Sequence, residues 1–301
     1  MSSQGVDRGQ LAEDRPRAPA GGTFKRAIIT GGSRGIGKAA ALALSELGWR
    51  LVLLARDRDA LEATRRELAG SDHEAFALDV SDEAGWERLA PKLGKVDGLV
   101  CAAARLDPVG PIGSYDAADF KRTLEVNVLG TLLAIQTCLP GLRAGHGAVV
   151  TFSGGGATKP LPRFDAYAAS KAAVARLSEN LAAELAGDGV RVNCVAPGFV
   201  ATDIHRSTLL AGPGLAGSDY YEQTRTEFER GGVPASEAAE LVCQLLENDP
   251  EAPFTGKLIS AQWDDWRDPD FRRRLAREPD LATLRRIDDQ LFGTTTERVG
   301  I

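Results

Sequence analysis

The feature that most limits how this chain can fold is a glycine-punctuated turn between a short apolar run and an amphipathic one. Ala27-Ile28-Ile29-Thr30 leads directly into Gly31-Gly32-Ser33-Arg34-Gly35-Ile36-Gly37, and residues 36–49 are Ala/Leu-rich at helical spacing. Glycine admits tight turns and close backbone approach. The helix that follows aims its free N–H groups and the positive end of its dipole across the turn. That geometry suits a pyrophosphate. A lone glycine triplet is a weak signal, and it is the strand–turn–helix setting that favours nucleotide binding over an ordinary turn.

The same alternation continues along the chain. Apolar strand-like runs at 50–54, 74–78, 96–102, 148–152, 190–195 and 257–261 are separated by helix-like runs at 59–68, 82–93, 117–142 and 167–185, with a partly helical stretch at 203–244. Continuous apolar strands bounded by helices imply a parallel sheet covered on both faces. The expected fold class is α/β, a doubly wound parallel sheet of the Rossmann type, with its ligand at the carboxyl ends of the strands. Residues 23–261 are expected to form this one domain. Residues 1–22, rich in Ser, Gly, Asp, Arg and Pro, are expected to be a disordered tail. Residues 262–301 are expected to form a C-terminal extension packing near the substrate site.

Composition excludes several function classes. The net charge of -6 argues against a nucleic-acid partner held by general positive charge. No run approaches a membrane span, and no signal-peptide pattern opens the chain. Cys101, Cys138, Cys194 and Cys243 form no Cys-x-x-Cys pair, and His73, His146 and His205 show no ligand spacing, so no metal is expected. Free thiols in a reducing cytoplasm are the expected state.

Tyr167-Ala168-Ala169-Ser170-Lys171 is the sharpest chemical motif. Spacing of i and i+4 puts Tyr167 and Lys171 on one helix face. A free phenol has a pKa of about 10, and a neighbouring ammonium is expected to favour the phenolate and lower that value. A Tyr-x-x-x-Lys pair alone arises often by chance. Together with the glycine turn it carries weight.

The pattern Thr-Gly-x-x-x-Gly-x-Gly together with Tyr-x-x-x-Lys resembles the short, single-domain branch of the short-chain dehydrogenase/reductase family, over roughly residues 24–261. The resemblance implies an oxidoreductase acting on a carbonyl or alcohol, with Gly31, Ser33, Arg34, Gly35, Ile36 and Gly37 on the cofactor phosphates. It implies Asp79 and Val80 near the adenine, although Asp79 would serve nearly as well as a helix N-cap. Pro197, Gly198, Val200 and Thr202 would cover the nicotinamide, and Tyr167 and Lys171 would touch both cofactor and reaction. Asn127 matches an asparagine that anchors a water in a proton relay. Subunit contacts through the helices from Ala117 and Tyr167, giving a homodimer or homotetramer, are implied as well.

Two departures stand out. Ser153 ends the fifth apolar run and is assigned the hydroxyl that steadies the tyrosine and the substrate oxygen. Gly154, not Ser153, stands at the family's usual separation from the tyrosine, and the flexible run Gly154-Gly155-Gly156 is expected to absorb the extra residue. Where relatives often read Asn-Asn-Ala-Gly, this chain has Cys101-Ala102-Ala103-Ala104, so support there must come from elsewhere.

The second strand ends at Ala55-Arg56-Asp57, without the acidic residue that NAD-selective sites place on the ribose. Arg56 and Arg34 could clamp a 2′-phosphate through their planar donor forks. The expected cofactor is therefore NADP(H), and the expected activity is ketone reduction. A regulatory NADP(H)-binding protein and an epimerase using transient hydride transfer remain as alternatives.

After the last strand come Trp263, Asp264, Asp265 and Trp266. Indole faces and carboxylates suit a sugar, aminocyclitol or other natural-product intermediate, and their position at a strand's carboxyl end suggests a substrate role. The competing reading is that the tryptophans pack the tail and the aspartates cap the next helix. Residues 203–232 are expected to form a substrate lid, and the basic amphipathic stretch 271–287 to dock on its own subunit or a neighbour.

Overall fold

The computed structural model describes residues 24–247 and 253–286. The tail expected at residues 1–22 and the end of the extension lie outside the described residues.

Seven parallel strands form one sheet in the order β3-β2-β1-β4-β5-β6-β7. They are β1 (Arg26–Thr30), β2 (Arg50–Ala55), β3 (Glu74–Ala77), β4 (Gly98–Cys101), β5 (Ala148–Phe152), β6 (Arg191–Ala196) and β7 (Leu258–Ser260). The helices in chain order are α1 (Gly35–Glu46), α2 (Arg58–Glu67), α3 (Glu83–Leu89), α4 (Ala117–Leu124), α5 (Gly130–Gly145), α6 (Asp165–Leu185), α7 (Asp203–Ala216), α8 (Ser218–Arg230), α9 (Ala235–Glu247) and α10 (Pro269–Arg277).

Because successive strand residues face opposite sides, each strand feeds two cores. Ala27, Ile29, Leu51, Leu53, Val100, Val150 and Val195 pack with Ala40, Ala41 and Leu44 of α1 and Leu241 and Leu245 of α9. Ile28, Val52, Leu54, Leu99 and Val149 pack with Trp86 of α3, Leu133 and Cys138 of α5, and Leu185 of α6. This two-sided burial explains why the strands read as unbroken apolar runs. Each fully buried Leu or Ile contributes about 1.5–3 kcal/mol.

The helix expected at 117–142 is one continuous rod, α4 joined to α5 through a π-helical turn, Glu125–Leu129. At 29 residues it is long and apolar enough to cross a membrane, which corrects the reading that no run approaches that length. Its first turns carry Asp119, Lys121, Arg122 and Glu125, and α5 buries Leu133, Ala134, Ile135 and Cys138 against the sheet and α3.

Strand order reverses between β1 and β4, so the loops leaving these two strands diverge and open a crevice at their carboxyl ends. The loops touch at its base, where a Cβ built on Gly31 would lie 2.8 Å from the Ala103 nitrogen.

The described part of the extension docks on its own chain. Leu275 is buried beside α9, Leu258 N donates to Ala282 O at 2.7 Å, and Arg285 pairs with Glu179 of α6. Lys257 Nζ donates to the carbonyls of Glu278, Pro279 and Leu281.

Candidate active site

A cleft of about 1110 Å³ runs across the carboxyl ends of β1, β2, β4 and β5. At one end is the glycine turn. Gly31 (φ 69°) and Gly35 (φ 55°) are in the left-handed region that disfavours side chains. A Cβ on Gly37 would lie 2.3 Å from Gly31 O, so α1 can start this close to β1 only with glycine there. Gly35 faces the Thr202 side chain, which brings the turn against the segment after β6. The result is a backbone cradle at a helix N-terminus, a shape that fits a dinucleotide pyrophosphate. Ser33 and Ile36 line it, as do Pro197, Gly198, Val200 and Thr202 from the opposite side.

At the end of β2, Ala55, Arg56 and Asp57 line the cleft. Asp57 caps α2, its side chain accepting from Ala60 N at 3.0 Å. Arg56 makes no hydrogen bond or ion pair among the described residues. Arg34 is exposed and paired with Asp203 at 3.0 Å, so its guanidinium is turned toward α7. Val80 is buried in the cleft wall against α5. Asp79 also lines the wall. Burial pushes its carboxyl up, but hydrogen bonds from the Ser81 backbone and hydroxyl, aided by Arg56 and Arg122, leave it below its ordinary value. The cap of α3 is Asp82 instead.

Tyr167 and Lys171 project from one face of α6 into the middle of the cleft. Lys171 Nζ lies 5.5 Å from the Tyr167 ring centre and donates to Phe152 O at 3.0 Å. Burial lowers the lysine from 10.5 to about 8. The expected acidification of the phenol is not what the surroundings produce. Burial, with Tyr220 adding to it, pushes Tyr167 up, because the low-dielectric wall penalises a phenolate.

Ser153 lines the cleft, but its hydroxyl donates to Lys171 O at 3.1 Å rather than meeting the phenol. The one-residue offset persists in three dimensions, since a Cβ on Gly154 would lie 3.3 Å from the Tyr167 hydroxyl. The glycines do not absorb it, because Ser153 N is already fixed by Val195 O of β6. Thr151, on the same face as Ser153, pairs with Ser178 at 2.7 Å.

Asn127 sits in the π-helical turn, buried behind the wall. Its Oδ1 accepts from Arg105 N at 2.8 Å, and its Nδ2 donates to Arg105 O and Ser170 Oγ. Ser170 Oγ in turn donates to Tyr167 O. The amide ties the loop after β4 to the tyrosine helix.

A short chain dehydrogenase family model matches residues 25–210, which span both the glycine cradle and the tyrosine helix. The chain belongs to the short-chain dehydrogenases. Carbonyl reductase family member 4 of Danio rerio is 33% identical over 238 residues, covering 77% of this chain and 94% of that protein. The 2-dehydro-3-deoxy-L-rhamnonate dehydrogenase (NAD(+)) of Sphingomonas sp. is 30% identical, covering 76% and 90%. Among solved structures, a point variant of actinorhodin polyketide ketoreductase with NADPH superimposes with a TM-score of 0.69 at 27% identity, covering 79% of this chain and 95% of that one. Short-chain dehydrogenases are nicotinamide-dependent oxidoreductases acting on alcohol and carbonyl groups, and this chain carries that identity.

In this short-chain dehydrogenase the tail residues divide. Trp263 lines the cleft and is 79% exposed. Trp266 is buried in the core, its indole N–H donating to Ala261 O at 2.9 Å with Arg267 stacked on its face. Asp264 accepts from Ser260 N at 2.7 Å, and Asp264 and Asp265 line a separate depression beside Glu237 and Arg267. Trp266 and Asp264 are thus corrected to structural residues, and Asp265 lies outside the cleft. The α10 cap is Asp268, not either of these aspartates.

Several wall residues escape sequence reasoning. Thr30 Oγ1 accepts from Ala103 N, doing the bracing that the Cys101–Ala104 run cannot. Its place in the glycine pattern was the available signal. Arg105, His205, Tyr220, Gln223 and Thr224 reach the cleft from three segments, and no local spacing announces that. Cys101 is buried and its thiol is pushed up by burial, which leaves it a packed side chain rather than a nucleophile.

Proposed function

We propose that this short-chain dehydrogenase is an NADPH-dependent ketone reductase, forming a secondary alcohol on a sugar, aminocyclitol or other natural-product intermediate. The observation that carries the reading is the placement of Tyr167 and Lys171 on the wall of the same cleft that the glycine cradle opens. A phenol kept protonated by its surroundings is the form that gives a proton to an alkoxide developing on the substrate. Lys171, fixed by Phe152 O, places an ammonium beside that phenol and favours proton release as the oxygen charges. Ser153 and Asn127 act through the helix backbone, holding the turn of α6 that carries both groups. When bound, the dinucleotide supplies the hydride.

Preference for the 2′-phosphate form is supported by the end of β2. Its single carboxylate, Asp57, is committed to capping α2, while Arg56 stands in the cleft with its fork of donors uncommitted. Arg34 would have to leave Asp203 to assist. Steady-state kinetics with both cofactors test this. Arg56→Asp is expected to raise the NADPH KM by about tenfold to a hundredfold, the cost of losing a charge-assisted pair, and to change the NADH KM little. Equal losses with the two cofactors would overturn the assignment.

A further inference from the structure

Hydrogen-bonding atoms buried without partners are rare in folded proteins, and each costs about 1–3 kcal/mol. Among the described residues they include Arg105 Nε, His205 Nδ1 and Thr224 Oγ1. All three residues line the catalytic cleft. They come from three separate segments: the loop after β4, α7 and α8. Thr224 is 1% exposed, so bulk water does not compensate its hydroxyl. His205 is stacked on Phe199 with ring centres 4.2 Å apart, which fixes its ring plane. Arg105 is held through its backbone by Asn127, and its guanidinium lies 3.6 Å from Asp107.

We propose that Arg105, His205 and Thr224 form a hydroxyl-recognition set, and that the substrate is a polyhydroxylated ketone whose hydroxyl groups, away from the reacting carbon, pair with these side chains as they turn toward it. This deepens the reductase reading and rests on it for the site of reaction.

The chemistry of the set selects the ligand. A threonine hydroxyl both donates and accepts, a neutral imidazole offers one donor and one acceptor, and a guanidinium N–H donates. Burial takes His205 down to about 4, so the ring is neutral across the working pH range. Asp107 offsets the charge of Arg105. The set therefore presents mixed donors and acceptors with little net charge, the complement of alcohols. The two carboxylates near the set are already paired, Asp107 with Arg105 and Asp203 with Arg34 and Arg206, and Asp264 and Asp265 sit outside the cleft. Beside this polar set, Leu106, Leu161 and Ile204 belong to one apolar cluster that also lines the cleft and suits the carbon skeleton.

The test compares matched ketones that differ only in hydroxyl groups: a keto-inositol against cyclohexanone, and erythrulose against 2-butanone. Turnover with NADPH and calorimetric binding to the NADP+-loaded full chain are both measured, for wild type, Thr224→Val and His205→Phe. The wild type is expected to favour at least one hydroxylated ketone over its partner by about tenfold or more in kcat/KM. Each variant is expected to erode that preference by about tenfold through KM, with the KM for NADPH unchanged and the thermal shift from NADP+ retained. A site that reduces both members of each pair equally, or a preference untouched by Thr224→Val and His205→Phe, would overturn the recognition set and leave the reductase reading standing. Hydroxyl-dependent binding that the variants weaken, without turnover of any ketone, would uphold the set and overturn the reductase reading. Neither binding nor turnover would overturn both.

Discussion

In the half of the cleft bounded by Gly31–Gly37 and the end of β2, the carboxylates are committed to the protein itself. Asp57 caps a helix, Asp79 holds Ser81, and the turn is pinned where a Cβ on Gly37 would strike Gly31 O. In the half roofed by α7 and α8, buried polar atoms of His205 and Thr224 lack partners, and the roof bends at Gly212 and Gly217, both at positive φ. The first half is a preformed cradle whose shape follows from sheet and helix geometry. The second is a wall whose polar atoms wait for a ligand to satisfy them. Relatives named for chemistry as different as a carbonyl reductase and a 2-dehydro-3-deoxy-L-rhamnonate dehydrogenase each match more than three quarters of this chain.

This contrast can be broken at its boundary and on either side. Tyr167 sits between the halves, and the largest effect is expected there. Tyr167→Phe should lower kcat by about a hundredfold to ten-thousandfold, the usual worth of a positioned acid, while the dissociation constant for NADPH, read by fluorescence titration, stays within about twofold. A fully active variant would remove the phenol from the chemistry.

Gly37→Ala should act on the cradle alone. The added methyl meets Gly31 O, and relieving such overpacking costs about 1–3 kcal/mol. NADPH binding should weaken by about tenfold or more, with kcat at saturating cofactor little changed. A variant that bound NADPH normally and lost kcat would erase the separation of the halves.

The smallest effect is a pH dependence from Lys171. As pH rises through about 8 the buried ammonium loses its proton, so kcat/KM for ketone reduction should fall above that point. Stability moves the other way. A lysine lowered from 10.5 to about 8 on folding penalises the folded state fully below pH 8, and the penalty is relieved as pH climbs toward 10.5. Lys171→Arg, charged throughout, should abolish both trends. A flat profile in the parent enzyme would show that the lysine's charge is not used.

What was legible in the sequence follows the same division. The sheet, both layers of helices and the cradle could be read because each depends on local spacing: glycines at fixed offsets, apolar runs, and Tyr167 and Lys171 on one helical face. Ser153 lies one residue away from the position beside the phenol, and spacing along the strand does not reveal that β6 already fixes its backbone at Val195. The acidity expected of Tyr167 considered the lysine charge and not the burial that opposes it. Trp266 and Asp264 looked like ligands only because their partners, Ala261 O and Ser260 N, are backbone atoms that a sequence does not display. His205 and Thr224 belong to one site through the folding of α7 and α8 over the sheet, a relation that no motif encodes.

The central claim is that this cleft moves a hydride directly from NADPH to a carbonyl carbon. Incubating the enzyme with a reducible ketone and NADPH deuterated at the transferable C4 position, then locating the label by NMR, tests it most directly. The account predicts one deuterium on the new carbinol carbon for each NADPH oxidised. A product without deuterium at that carbon, or NADPH left unoxidised while the ketone is converted, would contradict it.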